Sequence, residues 1–342
     1  MPLVAGYVGA DVPVELLTAA GYLPRRLSGS PDEDAEPGRR HLGGGLDPVA
    51  CSILTRLLAG AYGHLDVLVV SHDCEASLRL FYVLRELTRV APEVDLPPLH
   101  LVDVLHLPHR TTTRYDLAQV RRFRAWLAER GTPVPDDALA RAVAAHDDLR
   151  SLLRQVGAHR ARRVLSGTEM LGLVDLACTR PVDEARALLR DRLAELPARP
   201  PLPGTPVVVT GSSHDTPHVY SALEAHGLLV VGEDHDRGDL VALTDVGAPT
   251  EPALAERYQA AGPAAAHAAI ADRAAHTARL VRDRGAVGLL AYVRRHDDGP
   301  RWDVPAQRAA VGVPTVLVDH QEYGRIDDVA AVADALRGAV AA

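Results

Sequence analysis

The chain has no lysine: its 37 basic residues are all arginine, interspersed with 45 acidic residues for a net charge of -8. Arginines scattered among acids form no basic stripe or patch, so there is no electrostatic footprint for nucleic acid. Long apolar runs are missing too. No stretch of about 18 apolar residues occurs, and the opening MPLVAGYVGADVP lacks the charged start and apolar run of a secretory leader, so membrane spanning and export are disfavoured and a cytoplasmic location is expected. Cysteine is scarce. Three of them, an odd count, weigh against a disulfide framework in a reducing compartment and leave thiolate chemistry or plain burial to account for each. Cys178, at the end of a Leu-Gly-Leu-Val-Asp-Leu-Ala-Cys run, reads as buried.

What is present is a βαβ rhythm. A chain of 342 residues is long for one core and predicts two domains of roughly 100–200 residues. Short apolar, β-branched runs at Leu3–Val8, Tyr22–Leu27, Asp66–Val70 and Leu99–Val104 alternate with helical stretches, as in a parallel sheet. From about Thr113 to Leu196 apolar residues recur at helical spacing (Leu117, Val120, Phe123, Leu127) and no strand pattern appears. The Pro-rich stretch Pro197–Pro206 can continue neither helix nor sheet and reads as a linker. Alternation then resumes: strands at Val207–Thr210, Leu228–Val231, Val287–Tyr292 and Thr315–Val318, with helices at Pro217–His226, two between Glu251 and Arg284, Val304–Val311 and Asp327–Val340. The expected division is an N-terminal α/β lobe (1–112) with a helical segment (113–196), a linker (197–206) and a C-terminal α/β lobe (207–342).

In open parallel sheets, ligands collect where strand ends lead into helix N-termini, and the polar motifs of this chain fall there. The run to Val70 leads through Ser71-His-Asp-Cys74 into a helical stretch, which puts the Cys74 sulfur at a first turn that favours thiolate. In Gly43-Gly-Gly-Leu-Asp-Pro-Val-Ala-Cys51, Asp47 is the expected N-cap and Pro48 the first helical residue, so Cys51 also lies in an opening turn. A third such loop, Arg294-Arg-His-Asp-Asp298, offers His296. Three ligand-capable side chains at three helix-opening loops point to a metal or cluster site. The bland alternative is two buried structural cysteines and one of sixteen ordinary histidines. In the second half, Thr210-Gly-Ser-Ser-His-Asp-Thr-Pro217 combines small residues with a helix start, a setting for a carboxylate or phosphate-like group.

Several segments carry a resemblance. They are Val14-Glu-Leu-Leu-Thr-Ala-Ala-Gly-Tyr-Leu-Pro-Arg-Arg-Leu27, Cys51, Leu65–Cys74 followed by Glu75-Ala76, the Leu107-Pro-His109 step, Thr210-Gly-Ser212, Leu223-Glu224 to Asp234, and Pro314–Val318. In that order they resemble the 2-hydroxyacyl-CoA dehydratase / benzoyl-CoA reductase subunit family, including the 2-hydroxyglutaryl-CoA dehydratase D-component, over nearly the whole chain. The resemblance implies an α/β fold with two Rossmann-like (flavodoxin-like) parallel-sheet lobes and a helical segment between them. It also implies an oxygen-sensitive 4Fe–4S cluster held by three cysteines, of which the first two map to Cys51 and Cys74. Where the family has its third cysteine, in a Tyr-x-x-Lys-Phe-Cys-Asp pattern, this chain reads Tyr292-Val-Arg-Arg-His296-Asp297. Imidazole also ligates iron and raises a cluster's potential relative to thiolate.

The activity so implied is radical dehydration or reduction of an acyl thioester, on CoA or on a carrier protein, started by one electron from an ATP-dependent iron–sulfur activator. A homologous subunit completes a homo- or heterodimer. Gly211, Ser212 and Ser213 would bind the acyl or thioester oxygen, His72 or His214 would move a proton, and Arg294 and Arg295 are at hand for CoA phosphates. Two alternatives stand beside this reading: a cluster-free partner subunit that scaffolds a homologue, and a mononuclear zinc or iron enzyme using Cys51, Cys74 and His296.

Overall fold

The computed structural model describes residues 3–341, which form two four-stranded sheets in which every pairing is parallel. The first sheet contains β1 (Leu3–Val8), β2 (Tyr22–Arg26), β3 (Val67–Ser71) and β4 (Leu99–Val102), in the order β2-β1-β3-β4. The second contains β5 (Thr205–Gly211), β6 (Leu228–Glu233), β7 (Gly288–Arg294) and β8 (Thr315–Gln321), in the order β6-β5-β7-β8. The α/β class with two Rossmann-like lobes is as expected from the sequence, and both sheets follow one plan. Between β4 and β5 the described residues contain helices and no strand: Arg110–Glu129, Asp136–Ala158, Gly167–Thr179 and Val182–Glu195. No helix among the described residues is long and apolar enough to cross a membrane.

The chain divides into two compact units. One comprises Met1–Arg150, Leu176–Arg186 and Thr244–Ala261, and the other Ser151–Asp175, Ala187–Leu243 and Gly262–Ala342. Residues 197–206 belong to the second unit and run from the short 3-10 turn Leu196–Ala198 into β5.

Each sheet is covered on both faces, which is why its central strands are continuous apolar runs. Successive side chains of a strand point to opposite faces. Val67 and Val69 of β3 therefore join Tyr7, Val102, Phe123 and Tyr258 in one core, while Leu68 and Val70 join Ile53, Leu54, Leu80 and Leu84 in another. In the second unit Val207 and Val209 pack with Tyr220, Leu223 and Leu336, and Val208 packs with Val281, Leu289 and Val311. Pro24 lies inside β2, an edge strand, where its missing N–H is tolerated.

Two local expectations are corrected. The helix expected over Val304–Val311 runs over Gly299–Val311, since Pro300 is at home in a first helical turn. Cys178 is half-buried, not buried, because it sits in the last turn of Gly167–Thr179, where the packing thins.

A glycine stands at or just after the end of the first strand of each sheet, where a neighbouring strand comes close. Gly9, after β1, has φ +96, and a Cβ there would stand 2.0 Å from Ser71 Oγ. Gly211, at the end of β5, has φ +114, and a Cβ there would stand 2.1 Å from the Tyr292 carbonyl oxygen of β7. Backbone oxygen cannot move aside as a side chain can. Gly211→Ala is accordingly expected to cost at least about 2 kcal/mol, from both left-handed strain and the opened strand pair. The check is the unfolding midpoint, and an unchanged value would show that the strand pair accommodates the methyl group.

Candidate functional site

In a sheet of order 2-1-3-4 the winding reverses between the first and third strands, and ligands bind outside the carboxyl ends at that switch point. In the first unit this is the β1/β3 pair, where two loops are sewn together. The Ala10 amide donates to Asp73 Oδ2 (2.8 Å), and the Asp11 amide donates to Ser71 Oγ (3.3 Å). His72 and Cys74 follow directly. Cys74 is the N-cap of the helix Glu75–Val90, and its sulfur lies 3.3 Å from the Ser77 hydroxyl. Its surface reaches solvent, yet protein atoms crowd the sulfur. That crowding, with the Asp73 carboxylate beside it, pushes the thiol pKa well above its ordinary value.

Cys51 lies in the first turns of the helix Pro48–Leu58. The expected cap is present: the Asp47 carboxylate accepts from the Val49 amide (3.0 Å), and Pro48 follows it. Cys51 is buried, which raises its thiol pKa; Arg39 opposes that effect and Asp47 adds to it. The same Asp47 also acts on Cys74. The two thiols thus belong to one unit and share one acidic neighbour. His296 belongs to the other unit, exposed at the turn after β7 with φ 66.

Sequence reasoning missed what supports His72. Its Nδ1 is 2.9 Å from Asp103 Oδ1, and the Tyr115 hydroxyl donates to the other oxygen of that carboxylate. Among the described residues His72 Nε2 takes no partner, so a carboxylate orients the ring and leaves one nitrogen for proton transfer. Nearby, Asp116 is buried; its Oδ1 accepts from the Leu105 amide (2.9 Å), and its Oδ2 has no hydrogen-bond partner among the described residues. Burial first, then the Asp103 and Asp11 carboxylates, raise the Asp116 pKa to about 6 against the pull of Leu105 and His106. A signal for Asp103 was available, since it follows β4 directly, where polar residues line the ligand end of a parallel sheet.

The second unit repeats the seam at β5/β7. The Ser212 amide donates to the Tyr292 carbonyl (2.8 Å), and the Ser212 hydroxyl accepts from the Arg294 amide (2.9 Å). Gly211 and Ser212 therefore hold the strand pair together, while Ser213 stands outside it with its carbonyl accepting from the Arg294 guanidinium (2.7 Å). His214 is buried next to Tyr220, His235 and Tyr292. Burial, then His235 and Arg294, hold its pKa far below the ordinary value, so the ring is neutral. Tyr220 and His235 were missed by sequence reasoning. Arg294 is buried against Ser213, whereas Arg295 is exposed and pairs with Glu322 (3.0 Å).

Beneath the seam a polar knot ties β5 to the flanking helices. Asp234 Oδ2 accepts from the hydroxyls of Thr210 (2.8 Å) and Thr277 (2.6 Å), and Arg273 pairs with Asp303 (2.7 Å). All five side chains are buried, so the switch-point loop rests on a rigid base.

No curated protein matches the chain. The family described as "2-hydroxyglutaryl-CoA dehydratase, D-component" matches residues 10–326, a span that includes both switch points, Cys51, Cys74 and the helical middle, and the chain belongs to that family.

Proposed function

We propose that this protein is a subunit of a 2-hydroxyacyl-CoA dehydratase or aryl-CoA reductase type of enzyme, acting on an acyl thioester with a 4Fe–4S cluster as cofactor. The observation that carries the reading is the placement of Cys74 at the N-cap beside the first switch point, in a chain of this family. Thiol sulfur is an ordinary ligand of iron–sulfur clusters, so Cys51 and Cys74 fit the group as donors. Both are thiols in the free protein, and metal binding would release their protons. Such a cluster, when bound, supplies an electron relay and Lewis-acidic iron. The electron would come from an ATP-dependent iron–sulfur activator, and a homologous subunit would complete the enzyme. For the chain's own part, His72, oriented by Asp103, would move a proton within the first unit, and in the second unit Ser213 and His214 would meet an acyl oxygen, the amide and hydroxyl of Ser212 being taken up by β7.

One observation favours a second reading, a cluster-free partner subunit: Asp47 acts against the thiolate form of both cysteines, and Asp73 against that of Cys74. Purification without oxygen, with iron and sulfide quantified in the wild type and in Cys74→Ser, separates the two. The cluster reading expects about four irons and matching sulfide, lost in the variant. Colourless protein without either would overturn it in favour of the partner subunit.

A further inference from the structure

We propose that Leu105 and Leu107, on the loop after β4, form an apolar platform for the acyl chain of a bound thioester, and that the carboxylates around them restrict that chain to one without a second carboxylate. This rests on the chain acting on an acyl thioester and adds the class of acyl group.

The loop leaves β4 at the end of the sheet where ligands collect, and it opens with Asp103, whose carboxylate orients His72. Its main chain is tied down step by step. Val104 is buried in the core, and the Leu105 amide donates to Asp116 Oδ1 (2.9 Å). His106 lies 3.0 Å from Asp11 Oδ2 and 3.1 Å from the Gln259 carbonyl oxygen. The Leu107 carbonyl accepts from the Gln259 side-chain amide (2.6 Å) and from the His109 amide (2.8 Å), and the Thr113 hydroxyl donates to Gln259 Oε1 (2.8 Å). Pro108 further restricts Leu107 to extended backbone. What this clamp leaves outside is two apolar side chains, Leu105 at 41% exposure and Leu107 at 61%. So placed, they gain little from the fold, and only an apolar group laid over them takes their surface out of water.

Charge and area select the occupant. Asp11, Asp103 and Asp116 stand at this end of the sheet, and the imidazole of His106 is already engaged with Asp11. Burial first, then Asp103 and Asp11, hold the Asp116 carboxyl above its ordinary range, the sign of a negative field there. A chain ending in a methyl group meets leucine in this setting, whereas one ending in a carboxylate meets like charge. Two leucines also present far less than the about 800 Å² per partner that a stable protein interface buries, which suits an acyl chain and not a protein surface. The acyl group so selected differs from the dicarboxylic one in the family's description.

The test compares pentanoyl-CoA with glutaryl-CoA, five-carbon chains that end in a methyl group and a carboxylate. Binding is measured by calorimetry on the full chain purified without oxygen, with CoA alone as the reference. Pentanoyl-CoA is expected to bind tighter than glutaryl-CoA by about tenfold or more. Leu107→Ala should weaken pentanoyl-CoA by roughly three- to tenfold and leave CoA alone unchanged. Leu107→Arg, which places a cation on the platform, should abolish or reverse the preference. Leu107 is exposed, so neither variant threatens the fold. Glutaryl-CoA binding as tightly as pentanoyl-CoA, or a preference untouched by Leu107→Arg, would overturn the platform alone. Neither thioester binding tighter than CoA would overturn it together with the acyl-thioester reading, so the two failures are distinguishable.

Discussion

Replacing Arg160 with methionine is expected to lower the unfolding free energy by about 3–5 kcal/mol, the range for stripping one partner from a buried ion pair. Arg160 is wholly buried, with its guanidinium 2.5 and 3.2 Å from the two oxygens of Glu233, itself wholly buried. Asp239 takes a further bond from Arg160 and pairs with Arg284 (3.2 Å). Burial first, and then the Asp239 carboxylate, push the Glu233 carboxyl upward, and Arg160 is the largest influence opposing them. Without the arginine the carboxyl is left to ionise unpaired or to take a proton, and either costs stability. A Glu233→Leu change added to Arg160→Met should recover much of the loss, because apolar groups of similar size satisfy one another where a lone charge cannot. The measurement is the urea midpoint of the two variants and the wild type. A single variant as stable as the wild type, or a double variant no better than the single, would sink the argument.

Acidification from pH 6.5 to 4 is expected to remove several kcal/mol of stability through two buried histidines. His100, stacked on Phe123 (5.1 Å) and tilted against Trp126 (4.7 Å), has its pKa lowered to about 4 by burial first and then by Arg122 and Arg130. His146, bonded to the Thr18 hydroxyl (2.9 Å), is lowered to about 4, chiefly by burial. Both folded values lie below the unfolded one near 6.5. The unfolded chain therefore binds more protons between these limits, and stability that is fully present above pH 6.5 falls as pH drops to 4. Each ring contributes about 3 kcal/mol across that window. Asp116 works in the opposite sense, since its raised value makes the folded state bind its proton first, and it offsets part of the loss. Glu15 matters only in stronger acid. Burial opposes its charge, but Arg150, His146 and Arg257 bring it to about 2, so its contribution, full above its ordinary value of 4.5, is lost as pH falls from there to about 2. Denaturant unfolding at pH 7 and pH 4.5 checks the claim, and His100→Phe should flatten the profile by roughly one ring's share. Equal stability at the two pH values would refute it.

The sequence shows the strands because both faces of a parallel sheet are buried: Val67–Ser71 and Leu228–Glu233 are buried throughout and open with four apolar residues each. The opening of the Cys51 helix was equally legible, since Asp47 and Pro48 are a cap and a first turn in any context. Partners distant in sequence were not. His72 meets Asp103 across a strand pair and Tyr220 meets His235 across a turn and β6, contacts that no local periodicity encodes. The segment Thr244–Ala261 joins the first unit because Leu254, Ala255 and Tyr258 bury themselves in its core, and nothing in those residues announces which core they will choose. Ser212 reads as a ligand-binding serine, while its amide and hydroxyl are both engaged with β7.

Gly9, just after β1, and Gly211, the last residue of β5, stand at the ends of the first strands of two sheets built to one order, and each admits the approach of its neighbouring strand. The same joint therefore carries two different kits of parts. Around the first stand two thiols, carboxylates and a carboxylate-bound imidazole; around the second stand an arginine, two tyrosines and two imidazoles, of which burial keeps that of His214 uncharged. A scaffold laid down twice has divided its labour: soft, acidic equipment in one copy, and aromatic, imidazole-rich equipment beside a cation in the other.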